Sequence, residues 1–137
     1  MSGVTVDAGA LIALDRGDRT LLALLARAMQ HGDRITIPAT ALAQVLRSPA
    51  RQVRVVRLCR QPSTDLIALD GPDATAVGLL LASSSTSDIV DAHVVVCARR
   101  AHQAVITSDP DDMRRLAPDL TVIKLDAIKK RTKSLDF

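Results

Sequence analysis

The sequence predicts a three-layer α/β/α fold, in which a mostly parallel five-stranded sheet carries helices on both faces. Short β-branched runs alternate with longer apolar periodic segments along the chain, and this alternation implies crossover connections between parallel strands. With 137 residues, 47% hydrophobic and 24% charged, the chain is long enough for one packed core and too short for two. We therefore expect one domain over residues 1–125, followed by a basic tail over 126–137.

Local signals set the element boundaries in the first half of the chain. Gly17 and Gly32 each follow an apolar helical pattern and end it, because glycine readily adopts the left-handed conformation that closes many helices. Pro38 and Pro49 suit the first turn of a helix, where the missing N–H costs nothing. These signals predict a strand at 3–6, helices at 8–16 and 18–31, a strand at 34–37, and helices from 38 to about 47 and from 49 to 61.

The second half of the chain continues the same alternation. A strand at 65–69 precedes a helix opened by Pro72. The run Ser-Ser-Ser-Thr-Ser at 83–87 is a polar loop, whose hydroxyls can cap a helix at 88–101. A strand at 104–107, a short helix from Pro110 and a strand at 120–125 complete the predicted domain.

Composition limits the partners that the chain can have. The 18 Lys and Arg exceed the 15 Asp and Glu, and the net charge of +3 is compatible with a polyanionic partner without requiring one. Phe137 is the only aromatic residue of the sequence, so stacking of bases on rings is excluded as the main source of nucleic-acid affinity. RNA or DNA would be held through phosphates and base edges.

The sequence also predicts the compartment and the state of the thiols. No apolar run reaches the roughly 18 residues that cross a bilayer, and the N-terminus does not resemble a signal peptide, so we expect a cytoplasmic protein without a membrane partner. Cys59 and Cys97 lie in apolar helical segments, with no second Cys or His at metal-ligand spacing, and we expect buried free thiols. His93 points away from Asp91 at about 100° per residue, so it and His102 are assigned surface or core positions.

Aspartates follow two of the predicted strands and lie in the first turn of a predicted helix. If the first and fourth strands are neighbours, Asp7 and Asp109 face one crevice at their carboxyl ends, and Asp88 and Asp91 can join them. Two carboxylates about 4 Å apart repel by roughly 4 kcal/mol at an effective dielectric near 20, so such a cluster needs a cation. Oxygen ligands without His or Cys favour Mg²⁺ or Mn²⁺ over zinc. Such a metal suits in-line hydrolysis of a phosphodiester.

Each of these acids also has a purely structural interpretation. Asp7, Asp88 and Asp109 precede helices, where a carboxylate can cap backbone N–H groups. This interpretation fits Asp7 less well, because that residue ends a strand. Asp91 lies one turn further on, where a helix has less need of an acid. Asp112 is interpreted as solvated, with a supporting role at most.

Three sequence blocks, VDAGALIAL, TSDIVDAHVV and VITSDPDDMRRL, resemble the PIN domain family, and within it the VapC-type toxins of bacterial toxin–antitoxin pairs. The resemblance spans residues 3–125 and implies a metal-dependent ribonuclease. Its acids match Asp7, Asp91 and Asp109, and Asp88 is an additional acid in similar toxins. The resemblance also implies a second copy that forms a homodimer, and a VapB-type antitoxin whose C-terminal segment occupies a groove.

The resemblance breaks at Gln44, in ALAQV, where the family pattern implies a Glu. An amide can offer a carbonyl oxygen or hold a water, but it has no charge and cannot act as a base. A catalytically weakened relative that binds RNA and antitoxin is therefore an alternative. A second alternative is a phosphoacceptor signalling domain, with Asp70 as the reactive acid and Lys124 a superficial match. Such a domain needs an acid pair after strand one, but Ala8 follows Asp7.

Four arginines, Arg47, Arg51, Arg54 and Arg57, recur at spacings of four, three and three. This spacing predicts one charged stripe on a helix. Solvent exposure alone explains such a row. The stripe also follows Gln44 in the sequence, so it could rim the crevice and guide RNA, because guanidinium groups bind phosphate bidentately.

Overall fold

The computed structural model describes residues 3–125 and confirms the predicted α/β/α fold. The predicted tail at 126–137 lies outside the described residues. The strands are β1 (Gly3–Val6), β2 (Arg34–Pro38), β3 (Thr64–Ile67), β4 (Ala104–Thr107) and β5 (Val122–Lys124). The helices are α1 (Ala8–Asp15), α2 (Arg19–Gln30), α3 (Ala39–Val45), α4 (Val53–Cys59), α5 (Gly71–Ser84), α6 (Ile89–Ala101) and α7 (Pro110–Leu116).

The five strands form one parallel sheet with the order β3-β2-β1-β4-β5. Strand β1 is central, and Val4 pairs with Ile35 of β2 on one side and with Ala104 of β4 on the other. The strand order therefore reverses at β1. In a sheet of this kind, a crevice opens beyond the carboxyl ends of the strands at the point of reversal, which here is the edge where β1 and β4 end.

The core lies on the three central strands. Because helices cover a parallel sheet, its strands are near-continuous apolar runs, and Ile35, Ile37, Val105 and Ile106 have no exposed surface. Burial of each such side chain contributes roughly 1.5–3 kcal/mol. Helices α1 and α6 both pack against β1 and β4. Their N-termini are thereby held at the edge where the crevice opens.

The connection between α3 and α4 differs from the prediction. The third helix ends at Val45 rather than near 47, and the fourth begins at Val53 rather than at Pro49. The buried side chain of Gln52 explains the break: its Oε1 accepts from the N–H groups of Arg47 at 2.7 Å and Ser48 at 3.0 Å, and its Nε2 donates to Val45 O at 3.0 Å. One amide thus replaces hydrogen bonds that a continued helix would make.

The serine-rich run at 83–87 is only partly the predicted loop. Helix α5 continues through Ser84, whose hydroxyl donates to Leu80 O at 2.8 Å, and ends at Ser85 with a left-handed φ of 57°. Within residues 3–125, no single helix is long and apolar enough to cross a membrane. Helices α5 and α6 meet that criterion only as a pair, across a bend of 111°. Two predicted strands are also shorter than expected: β3 ends at Ile67 and β5 spans Val122–Lys124.

Candidate functional site

Asp7 and Asp109 meet at the carboxyl ends of β1 and β4, as the sequence predicts for neighbouring strands. Asp7 follows β1 directly and is only 5% exposed, while Asp109 is exposed two residues beyond β4. Burial raises the pKa of the Asp7 carboxyl above its usual value, and the negative charge of Asp109 adds to this effect. Hydrogen bonds from Thr107 and from the N–H of Ala10 oppose the rise. The carboxyl of Asp7 is therefore buried, and the charge of a second acid repels its ionised form.

Asp91 is the crevice acid on which the charges of several other acids act. It lies in the first turn of α6, and burial together with the charges of Asp88, Asp7 and Asp112 raises its pKa to about 7. These three neighbours come from the start of α6, the end of β1 and the first turn of α7. The pKa of Asp112 is also raised, first by its hydrogen bond with Asp109 and then by partial burial. Asp112 therefore belongs to the cluster and is not merely solvated.

Three of the acids also cap helices. Oδ1 of Asp7 accepts from Ala10 N at 2.7 Å, Oδ1 of Asp88 from Asp91 N at 2.9 Å, and Oδ1 of Asp109 from Asp112 N at 3.3 Å. The structural interpretation is thus correct for all three, including Asp7, for which the sequence favoured it less. Each cap engages one carboxylate oxygen of two, so capping and cation binding are compatible.

The turn after β4 fits closely against the first turn of α1. The fully buried Thr107 accepts from Asp109 N at 2.9 Å, and its hydroxyl bonds to the carboxyl of Asp7. A Cβ at Gly9 would lie 2.5 Å from Ser108 Oγ and 3.4 Å from Asp7 Oδ1, so a larger residue would force the Ser108 hydroxyl to rotate away. Sequence reasoning used neither Thr107 nor Gly9, although both lie inside the quoted motifs.

A cavity of about 280 Å³ opens beside the acids, lined by Asp88, Asp91, Asp112, Arg115 and residues of the loop before α6. Arg115 is a cation at this cavity, with its guanidinium 3.9 Å from the carboxylate of Asp112. Arg115 lies within the motif VITSDPDDMRRL, but no local pattern in the sequence indicates a role for it. Its position on α7, two turns beyond β4, brings it to the crevice.

The four arginines do not form one helical stripe, because the chain leaves the helix between α3 and α4. Arg47 and Arg51 lie in that connection. Arg47 donates to the carbonyls of residues 43 and 46, both at 2.8 Å. Arg54 donates to Asp15 O at 3.3 Å and lies against Gly17. Two of the four arginines are thus engaged with backbone carbonyls.

Gln44 is exposed on α3, which packs against α1 and α6, the helices that begin at the crevice. Asp70 caps α5, since its Oδ1 accepts from Asp73 N at 2.9 Å. It follows the edge strand β3, which β2 separates from β1. Asp70 is therefore remote from the acids at β1 and β4, which disfavours a phosphoacceptor domain.

An apolar groove of about 340 Å³ lies between α1, α2 and α4. Leu14, Leu22, Leu25, Met29 and Leu58 line it, and Arg54 and Arg57 flank it. These two arginines accordingly contribute to this groove rather than to the cavity beside the acids.

A different group of potential ligands is more compact than the crevice. Among residues 3–125, Asp73, His93 and Cys97 form the group whose ligand atoms all lie within 4.8 Å of one another, and the crevice aspartates form no group as tight. His93 is fully buried, which is the core alternative of the two that the sequence left open. Cys97 is a buried free thiol as expected, whereas Cys59, also expected to be buried, is only half-buried. The prediction that Cys97 has no His at ligand spacing is wrong, because His93 lies four residues before it, one turn along α6.

Comparison with known proteins agrees with this architecture. The sequence model of the PIN domain family matches residues 4–118. A search of curated proteins found no match. A similar fold occurs in VapBC2 from Rickettsia felis bound to a promoter DNA fragment, with a TM-score of 0.65, 13% identity and coverage of 90% of this chain and 99% of that one.

Two further solved structures have the same fold. FitAcB from Neisseria gonorrhoeae has a TM-score of 0.62 at 14% identity, covering 88% of this chain and 96% of that one. FitAB bound to an IR36 DNA fragment has a TM-score of 0.60 at 13% identity, covering 88% and 94%. At such identities, these structures establish the likeness of fold alone.

Proposed function

Because the chain belongs to the PIN domain family, we propose that it is a metal-dependent endoribonuclease and the toxin of a toxin–antitoxin pair. Members of this family are generally metal-dependent nucleases. The observation that carries the proposal is the placement of Asp7, Asp91 and Asp109 at one edge of the sheet. Burial, together with the charges of neighbouring acids, raises the pKa values of Asp7 and Asp91 there.

The crevice suits a hard divalent cation. Its donors are carboxylate oxygens, which Mg²⁺ and Mn²⁺ prefer, and their mutual repulsion is what a cation would relieve. Asp7, Asp91 and Asp109 would hold the ion, with Asp88 in support. When bound, the ion would polarise a phosphate oxygen and lower the pKa of a water, as hydrolysis of an RNA phosphodiester requires.

Other residues of the chain would orient these acids and the substrate. Thr107 joins Asp7 to the backbone of Asp109, which fixes the separation of the two strand ends. Arg115 lines the cavity beside Asp91, where its guanidinium can contact a phosphate of the substrate bidentately. Of the four arginines expected to guide RNA, we assign a peripheral phosphate contact to the exposed Arg51.

Gln44 favours a weakened enzyme as the second candidate. It is exposed on α3, which packs against α1 and α6, and a Glu at this position would carry a negative charge that an amide lacks. In that case the protein retains RNA and antitoxin binding while its cleavage rate is low. Metal titration by calorimetry beside a cleavage assay separates the two, since metal binding without cleavage identifies the weakened form.

Asp7→Asn tests the proposed nuclease. Asn caps a helix about as well as Asp, so the bond from Ala10 N at 2.7 Å is kept while one negative charge is removed. We expect Mg²⁺-dependent cleavage of RNA to fall to background with the fold retained by circular dichroism. Asp111→Asn, which removes the charge of an exposed acid in the first turn of α7, is the control and should keep full activity. Full activity of the Asp7 variant would remove Asp7 from the site.

We propose that the groove between α1, α2 and α4 is the binding site for the C-terminal segment of a VapB-type antitoxin. Its apolar floor suits an amphipathic segment, and Arg54 and Arg57 at its side suit acidic groups of that segment. Complexes named VapBC2 and FitAB share this fold. Leu22→Asp, in the groove, should abolish capture of a co-expressed antitoxin, whereas Leu79→Asp, exposed on α5, should not.

We also propose a homodimer. Apolar side chains of the first half of the chain remain exposed in the monomer, such as Ile12 at 39% and Val53 at 45%. Light scattering of the purified chain should give twice the monomer mass, and Ile12→Asp should shift it to the monomer if this surface forms the interface.

A further inference from the structure

We propose that Asp73, His93 and Cys97 form a buried zinc site, separate from the acidic crevice and independent of the proposed nuclease activity. The three residues offer a carboxylate oxygen, an imidazole nitrogen and a thiol sulfur, all within 4.8 Å of one another. Their exposed fractions are 2%, 0% and 2%, so the ion would be enclosed by protein. Imidazole and thiolate ligands select zinc over the Mg²⁺ that the crevice aspartates suit.

The separation of two of these ligand atoms matches a tetrahedral zinc ion. His93 and Cys97 lie one turn apart on α6, so both side chains project from the same face of the helix. Nε2 of His93 is 3.3 Å from Oδ2 of Asp73, which is long for a hydrogen bond between these groups. Two ligands at zinc distances of about 2.0–2.1 Å on a tetrahedron lie about 3.3 Å apart. The pair is therefore already at the separation that a shared ion requires.

Neighbouring groups orient two of the three ligands. Nδ1 of His93 is 2.7 Å from the hydroxyl of Thr40, which directs Nε2 toward Asp73. The guanidinium of Arg100 donates to both oxygens of Asp73, to Oδ1 and, at 3.4 Å, to Oδ2, and Oδ2 also faces the imidazole. Hydrogen bonds of this kind, on the far side of a ligating imidazole or carboxylate, are typical of zinc sites.

Zinc binding would have to remove the thiol proton of Cys97, because the thiolate is the metal ligand. Burial raises the pKa of the Cys97 thiol to about 12, and the charge of Asp73 adds to this. The thiol is consequently protonated in the metal-free protein, and zinc binding would release that proton to solvent. Arg100, whose side chain is 56% exposed, lies between Asp73 and solvent and would have to move for the ion to enter.

Such an ion would add metal–ligand bonds between helices that hydrogen bonds and an ion pair already join at this point. Asp73 belongs to α5, His93 and Cys97 belong to α6, and Thr40 extends the contact to α3. The site would thus stabilise the packing of α5 against α6.

Cobalt binding tests the site, because Co²⁺ replaces zinc and a thiolate ligand gives it a charge-transfer absorption in the near ultraviolet. The full chain is freed of metal with a chelator and titrated with Co²⁺, and we expect one equivalent to produce this absorption. Cys59→Ser is the matched control: it leaves Cys97 as the only cysteine, so the absorption must persist. Cys97→Ser should lose it, and Thr40→Val should weaken binding about 10- to 100-fold.

Asp91→Asn separates the two metal sites. It should retain the cobalt absorption even if the crevice has no nuclease activity. Zn²⁺ at 100 times its Kd should raise the Tm of the metal-free chain by about 9 °C, and the same concentration of Mg²⁺ should not reproduce that rise. A missing thiolate absorption in both the unmodified chain and Cys59→Ser would overturn the proposal, whether or not Cys97→Ser folds. So would an undiminished absorption in Cys97→Ser.

Discussion

Replacing Asp91 by Asn should stabilise the metal-free protein at alkaline pH. Burial, together with the charges of Asp88, Asp7 and Asp112, raises the pKa of Asp91 from 3.8 to about 7. The folded protein therefore holds a proton on this carboxyl that the unfolded chain has already lost. Stability from this group is complete below the unfolded pKa and decreases as the pH rises through the folded one. Asn resembles the protonated acid at every pH, so the variant avoids this loss.

The size of the effect follows from the interval over which the two states differ. Between about pH 5 and pH 8 there are roughly two pH units over which the folded protein keeps the proton of Asp91 and the unfolded chain has lost it. Over this interval the free energy of unfolding decreases by at most about 3 kcal/mol. Because Asp91 is only partly buried, solvent screening reduces this to about 1 kcal/mol. For a chain of this length, 1 kcal/mol corresponds to about 3.5 °C in Tm.

The assay is thermal unfolding in a chelating buffer at both pH values. The Tm difference between the Asp91→Asn variant and the unmodified protein should grow by about 3.5 °C from pH 5 to pH 8. Asp111→Asn, at an exposed acid paired only with Arg114 at 3.7 Å, is the control and should show no such growth. Mg²⁺ should restore the stability of the unmodified protein but not increase that of the variant. A variant that is less stable than the unmodified protein at pH 8 would refute the repulsion argument.

Three further predictions concern other parts of the site and its support. Gln44→Glu should increase Mg²⁺-dependent RNA cleavage, and equal initial rates at saturating metal would count against a role for the missing charge. Gly9→Ala places a methyl group 2.5 Å from Ser108 Oγ and forces that hydroxyl to rotate, so thermal unfolding should report a loss of about 1 kcal/mol. Ser108→Gly in the same chain should recover most of that loss, and failure to do so would mean that the clash is not with the hydroxyl. Gln52→Ala leaves two backbone N–H groups and a carbonyl without their partner. Denaturant titration should show a loss of about 2–4 kcal/mol in the free energy of unfolding. An unchanged midpoint would mean that water replaces the amide.

Strand composition and the motifs predicted the parallel α/β fold and the acids at the strand ends. Apolar β-branched runs and helix-period segments are local patterns, so the alternation that defines the fold can be read from short windows. Asp7 and Asp109 were placed correctly in relation to their strands for the same reason. Whether they meet depended on the pairing of β1 with β4, which joins residues about 100 positions apart and has no local signal.

Tertiary structure alone decided the features that depend on contacts between distant segments. The side chain of Gln52 ends α3 and separates the arginines that spacing had joined into one stripe. Asp73 gave no signal in the sequence, and only the packing of α5 against α6 brings it to His93 and Cys97. Periodicity and capping residues act over a few neighbouring positions, so the sequence by itself determined the elements and the kinds of side chain that end them. Strand order and helix packing depend on burial summed over the whole core, and they decided which of those side chains are close enough to repel, to share a proton or to hold an ion.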